Sequence, residues 1–404
     1  MIPNLLTNKK ILLGVTGSIA IYKSLELIRL FIKAGALVKV VMSEDAKRFI
    51  TPLTFEAISQ NKVLHVQTEN WSDELNHIHI GKWADVFVIA PISVNTINKL
   101  AHGIADNLLT QSIIAYTKPI IIAPSANTNM ILNAITVKSL ETLANNGMHI
   151  VSPQTKLLAC NDEGIGAMAD VETIFFQTAR TLLREDFWID RDIIITGGGT
   201  IEKIDDVRCL TNFSSGKQAF ALAQAYYLKG ARVTLITSQI PAAATMPISY
   251  LYVKSSQELK YTLEAALSIA KCSSKEPYVL MAAAVSDYIP QSVYHGKLKK
   301  EALGEMAHLE LIQNEDILAN LEKNGIKVIG FKAEMDAQTA LASAKKMLIT
   351  KGLDAVCLNI LSDENKFGST HNSVQFLTAN SCTILPLALK FDIAKNIVEL
   401  SQTL

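Results

Sequence analysis

The chain has 404 residues, and this length predicts two or three domains because a single hydrophobic core rarely organises so many. Its 38 Lys and Arg residues balance 38 Asp and Glu residues, so no net charge favours nucleic acid or an anionic membrane as a partner. Hydrophobic residues make up 49% of the chain, yet no apolar run approaches the roughly 20 residues that span a membrane.

The N-terminal sequence MIPNLLTNKKILLGV places its lysines directly before an apolar strand and not before a cleavable segment. We therefore expect an unprocessed, cytoplasmic protein. The cysteines are scattered, with neither a CxxC pair nor metal-ligand spacing, so disulfide bonds and a zinc site are not expected. They are Cys160, Cys209, Cys272, Cys357 and Cys382.

An apolar strand at Lys10–Val15 runs into the loop GVTGSIA, and apolar residues at helical spacing follow over residues 21–34. The loop lacks the GxGxxG spacing of dinucleotide sites, and the next strand, Leu37–Met42, ends at Ser43 rather than at an acid. This pattern favours a mononucleotide phosphate site. An ordinary turn between strand and helix, whose backbone requires glycine, explains the loop equally well.

Histidines spaced i and i+2, the first being His77, precede another apolar strand over residues 86–90. A lone histidine is more often structural, so spacing alone makes His77 a minority candidate for catalysis. Polar loops follow this strand and the strand over residues 119–123, where open parallel sheets bind their ligands. These loops carry Ser93, Asn95, Thr96 and Asn127.

A second domain of the same type begins near residue 191, after the charged stretch REDFWIDR. Its first strand leads into TGGGT, whose glycines let backbone N–H groups approach a phosphate. Strands at Arg232–Thr237 and Tyr278–Met281, with a helix over residues 257–270 between them, repeat the alternation. We therefore predict two doubly wound, Rossmann-like α/β domains, residues 1–190 and 191–404.

Cationic and hydrogen-bonding residues follow the TGGGT loop and indicate an anion site ahead of a helix over residues 219–228. They are Arg208, Asn212, Ser214, Ser215, Gly216 and Lys217. Asp287 at the end of a strand and Lys297 in the cluster KLKK suit a triphosphate with its metal. A solvated basic turn is the preferred explanation of the lysine cluster taken alone.

Five motifs of the first half occur together and in order: GVTGSIAIYK, HIHIGKWAD, APISVNTINKLAHGIADNLL, PSANTNM and LLACNDEGIGAM. This half resembles the flavin-dependent cysteine decarboxylases, and in particular the phosphopantothenoylcysteine decarboxylases of coenzyme A synthesis. The resemblance implies a flavodoxin-like domain that binds FMN. The FMN-binding residues that it implies are Gly17, Ser18, Ser43, Ser93, Asn95 and Thr96.

By the same resemblance, His77 is the active-site base, Asn127 binds the substrate carboxylate and Cys160 donates a proton. Two positions depart from the family pattern. Ala126 stands where Pro-x-Met-Asn-x-x-Met-Trp has its first methionine, and Ala167 stands where Gly-x-Gly-Arg-Met has its arginine. An alanine cannot form the two parallel hydrogen bonds with which the planar guanidinium of arginine binds an anion, so we expect a lower affinity for the substrate.

The second half resembles the bacterial phosphopantothenate–cysteine ligases through TGGGTIEKIDDVRCLTNFSSGK, AAAVSDY, KLKK, QNEDI, VIGFKAE and FGSTHNS. The resemblance implies that CTP is the co-substrate, with Mg²⁺, and that Lys297 forms an acyl cytidylate on which Arg208 and Asn212 then act. The implied CTP contacts are Ala283, Asp287, Lys297, Asn314, Glu315, Asp316, Ile317, Phe331 and Lys351. Glu315 departs from the family, in which proline is common there.

Together the resemblances imply a bifunctional enzyme of coenzyme A synthesis. It joins 4'-phosphopantothenate to L-cysteine at the expense of CTP and then decarboxylates the product to 4'-phosphopantetheine. They also imply a homo-oligomer, with decarboxylase trimers that hold FMN at subunit interfaces and ligase dimers. Two alternatives stay open: a flavin prenyltransferase-like flavoprotein, and a non-catalytic regulatory relative, which the departures at Ala126 and Ala167 keep open.

Overall fold

The computed structural model describes residues 4–73, 75–157, 163–239, 246–299, 308–362, 365 and 368–404. The chain folds into two compact units, one formed mainly by Met1–Leu183 and the other by Arg184–Ala244 and Ile248–Leu404. The contacts thus group residues 184–190 with the second unit, whereas the sequence placed them at the end of the first domain. Within the ranges given above, no helix has the length and apolar character needed to cross a membrane.

The first unit contains a sheet of five parallel strands in the order β2-β1-β3-β4-β5. The strands are β1 (Lys10–Val15), β2 (Leu37–Met42), β3 (Val86–Ile92), β4 (Ile120–Pro124) and β5 (His149–Ile150). Every residue of β3 is buried, as expected for a central strand with helices on both faces. Two further strands, β6 (Gln154–Leu157) and β7 (Glu163–Ala167), form an antiparallel ribbon beside this sheet.

Helices cover the sheet of the first unit on both faces. They are α1 (Tyr22–Lys33), α2 (Pro52–Ser59), α3 (His79–Trp83), α4 (Val94–Ala101), α5 (Leu108–Ile114), α6 (Thr128–Ile131), α7 (Ala134–Asn145) and α8 (Val171–Leu183). Helix α1 packs against α8, and α4 packs against α7. Side chains from β3, α4 and α5, among them Phe87, Ile97 and Leu109, form one apolar core.

The second unit contains a sheet of eight strands in the order β12-β11-β8-β13-β16-β17-β18-β19. They are β8 (Asp192–Gly197), β11 (Arg232–Thr237), β12 (Ser249–Tyr252), β13 (Tyr278–Met281), β16 (Lys327–Glu334), β17 (Ala355–Ile360), β18 (His371–Leu377) and β19 (Cys382–Leu389). The first six in spatial order are parallel, and the last two add in antiparallel fashion. The doubly wound prediction is therefore confirmed for both units, with an antiparallel edge on the second.

Short ribbons and helices complete the second unit. The antiparallel ribbons are β9 (Ile201–Lys203) with β10 (Cys209–Thr211), and β14 (Tyr288–Pro290) with β15 (Leu311–Gln313). The helices are α9 (Lys217–Leu228), α10 (Ser256–Ala270), α11 (Ile317–Asn320), α12 (Ala337–Thr350) and α13 (Lys390–Ser401). Helix α9 packs against α13, while α10 and α12 contribute Leu263 and Ala344 to one apolar core on the sheet.

Trp188 explains why residues 184–190 belong to the second unit. Its side chain is fully buried, and its ring meets the rings of Tyr226 and Tyr278 edge-on at centroid distances of 4.9 and 5.2 Å. The indole therefore packs between helix α9 and strand β13. Glu185 adds polar contacts to Lys229 and Gln402 of the same unit.

Candidate active sites

A cavity of about 1050 Å³ lies beyond the carboxyl ends of strands β1, β3 and β4 in the first unit. The loops that follow these strands meet there because parallel strands end at the same edge of a sheet. The cavity has room for a mononucleotide together with a small substrate. Of the predicted residues, its wall contains Gly17, Ser18, Ser93, Asn95 and Asn127.

Serine hydroxyl groups cap the helical turns that border this cavity. Ser93 Oγ accepts from the N–H of Thr96 at 3.4 Å and so caps helix α4, whose first turn faces the cavity. Ser18 Oγ accepts from the N–H of Ala20 at 3.3 Å and donates to Ser125 Oγ at 3.1 Å. Because the first N–H groups of a helix have no intrahelical acceptor, this arrangement suits a phosphate.

Gly17 is required by a close approach between two loops. A Cβ atom at this position would come within 2.7 Å of Asp45 Cβ, in the turn that follows strand β2. Two other predicted FMN residues, Ser43 and Thr96, do not line the cavity itself. Ser43 Oγ caps the turn by accepting from the N–H of Ala46, and the Thr96 hydroxyl lies 3.2 Å from Ser93 Oγ.

Thr16 is a supporting residue that the sequence pattern did not single out. Its hydroxyl donates to the carbonyl of Pro91 at 3.0 Å and accepts from the N–H of Ser93 at 2.8 Å. The buried threonine therefore fixes the loop after β1 to the loop after β3. Its only sequence signal is its place at the end of a strand.

His77 does not line the cavity of its own chain. Its Nδ1 lies 2.8 Å from Glu69 Oε1, and its ring meets the ring of Trp71 edge-on at 5.5 Å. A carboxylate that accepts from Nδ1–H leaves Nε2 free to take a proton. Cys160, the predicted proton donor, lies outside the described residues.

Three cationic side chains line the same cavity: Lys23, Arg48 and Lys156. Lys156 pairs with Asp170 at 2.7 Å. Burial, and then the nearby charge of Lys156, lower the pKa of Lys23. Arg48 forms no ion pair with any residue that the structure describes.

The two family departures, Ala126 and Ala167, both lie on the cavity wall. Arg48, which comes from a different loop, lies on the same cavity wall as Ala167. Gly166, next to Ala167, has φ +146°, and its carbonyl accepts from the N–H of Ala126 at 3.0 Å. This bond holds the β6–β7 ribbon against the loop that carries Asn127.

The second unit has a smaller cavity, of about 190 Å³, next to the first turn of helix α9. Two of the predicted CTP contacts, Ala283 and Phe331, lie on its wall. The TGGGT loop is held nearby, because Gly198 O accepts from the N–H of Ala284 at 2.8 Å. Asn212 Nδ2 donates to the carbonyl of Ala284 at 3.3 Å.

Three other predicted CTP contacts, Asn314, Glu315 and Ile317, line a separate cavity of about 610 Å³. The N–H of Asn314 donates to the carbonyl of Asp287 at 2.8 Å, which fixes these two predicted residues to each other. Both carboxylate oxygens of Glu315 accept from Lys260 Nζ at 2.8 Å. The glutamate that replaces the family proline is therefore bound to a neighbouring helix.

Asp316 and Lys351 form an ion pair at 2.6 Å, and the Asp316 carboxylate also caps helix α11 by accepting from the N–H of Ala319. Arg208 pairs with the buried Asp205 and also donates to the carbonyl of Leu298, beside Lys297. Asp205 is thus a further residue that the sequence pattern did not single out. Over the described parts of the chain, no three His, Cys, Asp or Glu side chains cluster as a metal site.

The flavoprotein family model matches residues 3–183, and the model of the DNA/pantothenate metabolism flavoprotein C-terminal domain matches residues 188–404. The coenzyme A biosynthesis bifunctional protein CoaBC of Haemophilus influenzae is 36% identical, over 97% of this chain and 97% of its own length. That of Bacillus subtilis is 35% identical, over 98% of this chain and 97% of its own. The solved C-terminal domain of a CoaBC is 28% identical, covering 54% of this chain and 97% of that chain, with a TM-score of 0.42.

The two family matches divide the chain as its two compact units do, with one cavity-bearing sheet in each. The curated relatives extend over nearly the whole length of this chain, so the similarity includes both units. The chain therefore belongs to the family of bifunctional coenzyme A biosynthesis proteins, CoaBC.

Proposed function

We propose that the chain catalyses two successive reactions of coenzyme A biosynthesis. The second unit joins 4'-phosphopantothenate to L-cysteine with CTP, and the first unit decarboxylates the resulting 4'-phosphopantothenoylcysteine with FMN. The observation that carries this proposal is the large cavity whose wall includes the capped start of helix α4, Gly17 and Asn127. We assign the phosphate of the mononucleotide to the helix start and the substrate carboxylate to Asn127, and the cavity volume of about 1050 Å³ supports this assignment.

The residues of the first cavity fit FMN. The first turn of α4, capped by Ser93, offers N–H groups to a phosphate, and Gly17 leaves room where any side chain would meet Asp45. When bound, FMN supplies a reversible two-electron acceptor for the thiol-bearing carbon, so carbon dioxide leaves without net redox change. The Asn127 amide binds the carboxylate that is lost.

The proton transfers of the decarboxylation are assigned to His77 and Cys160. His77 acts as the base, with Glu69 orienting its ring through Nδ1. Cys160 returns a proton to carbon. Because His77 does not line the cavity of its own chain, the proposal includes a trimer in which it serves a neighbouring subunit.

In the ligase reaction, Lys297 stabilises the pyrophosphate that leaves as the carboxylate attacks the α-phosphate of CTP, and a bound Mg²⁺ would supply further neutralisation of that charge. Arg208 and Asn212 then act on the acyl cytidylate as the amine of cysteine attacks it. The proposal includes a dimer of the second unit and places both reactions in the cytoplasm. The product of the second unit is the substrate of the first.

The test supplies the full chain with phosphopantothenate, cysteine, CTP and Mg²⁺ and follows products by mass. Phosphopantetheine is expected from the wild type. The variant Cys160→Ala should continue ligation and release carbon dioxide, but it should accumulate the decarboxylated ene-thiol in place of phosphopantetheine. The variant His77→Ala should stop before carbon dioxide is released. Cys272→Ala, a change at an exposed cysteine of the second unit, is the control. Normal phosphopantetheine formation by Cys160→Ala would remove that residue from the mechanism, and a wild type without carbon dioxide release would favour a regulatory relative.

A further inference from the structure

His77 is held on one side of its ring by a carboxylate. Its Nδ1 lies 2.8 Å from Glu69 Oε1, and the two side chains are only 22% and 25% exposed. Partial burial strengthens such a pair, because the effective dielectric constant is lower away from bulk water. Among the histidines that the structure describes, only His77 pairs with a described acidic side chain. This contact therefore distinguishes His77 from the other imidazoles.

The loop that carries Glu69 is fixed by its own hydrogen bonds. The N–H of Glu69 donates to the carbonyl of His65 at 3.0 Å, and the N–H of Asn70 donates to the carbonyl of Leu75 at 2.8 Å. Thr68 Oγ1 accepts from the N–H of His65 at 2.9 Å. The backbone of Glu69 is therefore held by its loop, and its side chain reaches the imidazole from a fixed point.

The histidine itself is restrained from two further directions. Asn76 is fully buried, and its Oδ1 accepts from the N–H groups of Ile78 and His79 at 3.1 and 3.0 Å. These bonds order the backbone on both sides of His77. The ring of Trp71 meets the imidazole edge-on, with the ring centroids 5.5 Å apart. Because the backbone, one ring nitrogen and the ring edge are all engaged, the imidazole has little freedom to turn.

The other ring nitrogen of His77, Nε2, has no hydrogen-bond partner in the part of the chain that the structure describes. A carboxylate at Nδ1 favours the tautomer that has its proton on Nδ1, so Nε2 presents a lone pair. The same carboxylate stabilises the imidazolium that forms once Nε2 has taken a proton. A general base needs both properties, the first before proton transfer and the second after it.

We infer that Glu69 is the positioning residue of the decarboxylase base, in that it fixes the tautomer and the orientation of His77, while Trp71 restricts the ring from the side. The inference rests on the proposed function, in which His77 acts as the base. Neither Glu69 nor His77 lines the cavity of its own chain. Glu69 therefore acts through the imidazole, and its loss should slow proton transfer without weakening substrate binding.

The test compares the variant Glu69→Gln with the wild type in the full chain. The amide keeps the shape of the side chain but can also donate to an unprotonated Nδ1, so both tautomers become accessible. We expect kcat for decarboxylation of phosphopantothenoylcysteine to fall roughly tenfold to hundredfold, with KM and bound flavin unchanged. Glu69→Asp, which keeps the charge, should retain more activity than Glu69→Gln. Glu141→Gln is the matched control, because Glu141 is an exposed glutamate of helix α7 outside the cavity.

A second readout does not depend on turnover. Diethyl pyrocarbonate acylates an unprotonated imidazole nitrogen, and peptide mass spectrometry follows its reaction with each histidine. His77 should react faster in the wild type than in Glu69→Gln. His102, whose Nδ1 lies 2.8 Å from the carbonyl oxygen of Asn98, should react equally in both proteins and serves as the internal reference.

An unchanged kcat in Glu69→Gln, or equal reactivity of His77 in the two proteins, would overturn the inference. A raised KM or a loss of flavin that accounts for the whole defect would also overturn it, because Glu69 would then only maintain the structure of the site. If the wild type released no carbon dioxide, the proposed function would fail, and the reactivity of His77 would still decide whether Glu69 positions its ring.

Discussion

Asp205 holds the guanidinium of Arg208 by two hydrogen bonds, in which its Oδ2 accepts from Nε at 3.0 Å and from Nη2 at 2.5 Å. The same oxygen accepts from the N–H of Leu298 at 3.1 Å, and Arg208 Nη2 donates to the carbonyl of Leu298 at 2.8 Å. The loop that carries Arg208 is thereby fixed to the loop that carries Lys297. The two residues proposed to act on successive steps of ligation are positioned by one carboxylate.

We expect Asp205→Asn to lower ligase kcat at least tenfold while the KM for CTP changes less. The amide keeps the shape of the side chain, but its Nδ2 faces donors that the carboxylate satisfied, so the two loops separate. Steady-state kinetics of the full chain measures the effect. Asp186→Asn, at an exposed carboxylate of the same unit, is the control. Ligation at the wild-type rate by Asp205→Asn would show that the loops are positioned without this carboxylate.

The same pair predicts a pH dependence of stability. The hydrogen bond from Arg208 holds the pKa of Asp205 well below its ordinary value of 3.8. The folded pKa is lower than the unfolded pKa, so this stabilisation is fully present above about pH 4 and is lost as pH falls through the folded pKa. Urea unfolding between about pH 2.5 and 6 should show a shallower acid loss of stability in Asp205→Asn than in the wild type. If the free energy of unfolding fell equally steeply with falling pH in both proteins, Asp205 would not contribute to the loss of stability in acid.

Trp188 predicts where the second unit can be cut from the chain. A fragment of residues 184–404 should fold, bind no flavin and catalyse CTP-dependent ligation, because it keeps the indole that packs on Tyr226 and Tyr278. A fragment of residues 191–404 should be less stable by about 3–5 kcal/mol, the usual cost of removing a buried Trp side chain. Urea denaturation of the two fragments measures the difference. Equal midpoints and slopes would show that the aromatic cluster adds nothing to the stability of this unit.

Gly166→Ala is expected to open the first cavity. The new Cβ would lie 2.2 Å from the carbonyl oxygen of Ala126, so the β6–β7 ribbon would have to move away from the loop that carries Asn127. The bound flavin per chain should fall, and absorbance of the purified protein measures it. Gly147→Ala is the control, since Gly147 also has positive φ but a Cβ there meets no atom within 4 Å. In both variants an alanine must adopt a positive φ, which costs roughly 1 kcal/mol or more. Only Gly166→Ala also brings a Cβ atom against the carbonyl oxygen of Ala126.

Arg48→Gln should weaken binding of the decarboxylase substrate. Because Arg48 is a cavity-lining cation without an ion pair among the positioned residues, an anionic group of the substrate is its expected partner. We expect KM for phosphopantothenoylcysteine to rise about fivefold to fiftyfold, the effect of losing one charge-assisted contact of roughly 1–2.3 kcal/mol. Arg29→Gln, at an exposed arginine outside this cavity, is the control. An unchanged KM would show that Arg48 does not replace the arginine that the family has at the position of Ala167.

The sequence by itself determined what depends on neighbours along the chain. Short runs of apolar residues placed strands at Lys10–Val15 and Leu37–Met42 with the bounds that the structure has, since burial on both faces of a parallel sheet selects continuous apolar runs. It also predicted that Ser18, Ser93 and Asn127 lie at one edge of a sheet, because their loops follow strands that run in the same direction.

Only the tertiary structure decided which distant residues meet. Arg48 and Ala167 share a cavity wall, Asp205 joins the Arg208 and Lys297 loops, and Lys390 approaches Lys217 from the far end of the chain. No local pattern encodes these pairs, because each results from the packing of whole loops and helices. The boundary near Trp188 and the antiparallel strands β18 and β19 have the same origin: burial of an indole and pairing at a sheet edge depend on surfaces that exist only once the sheet has formed.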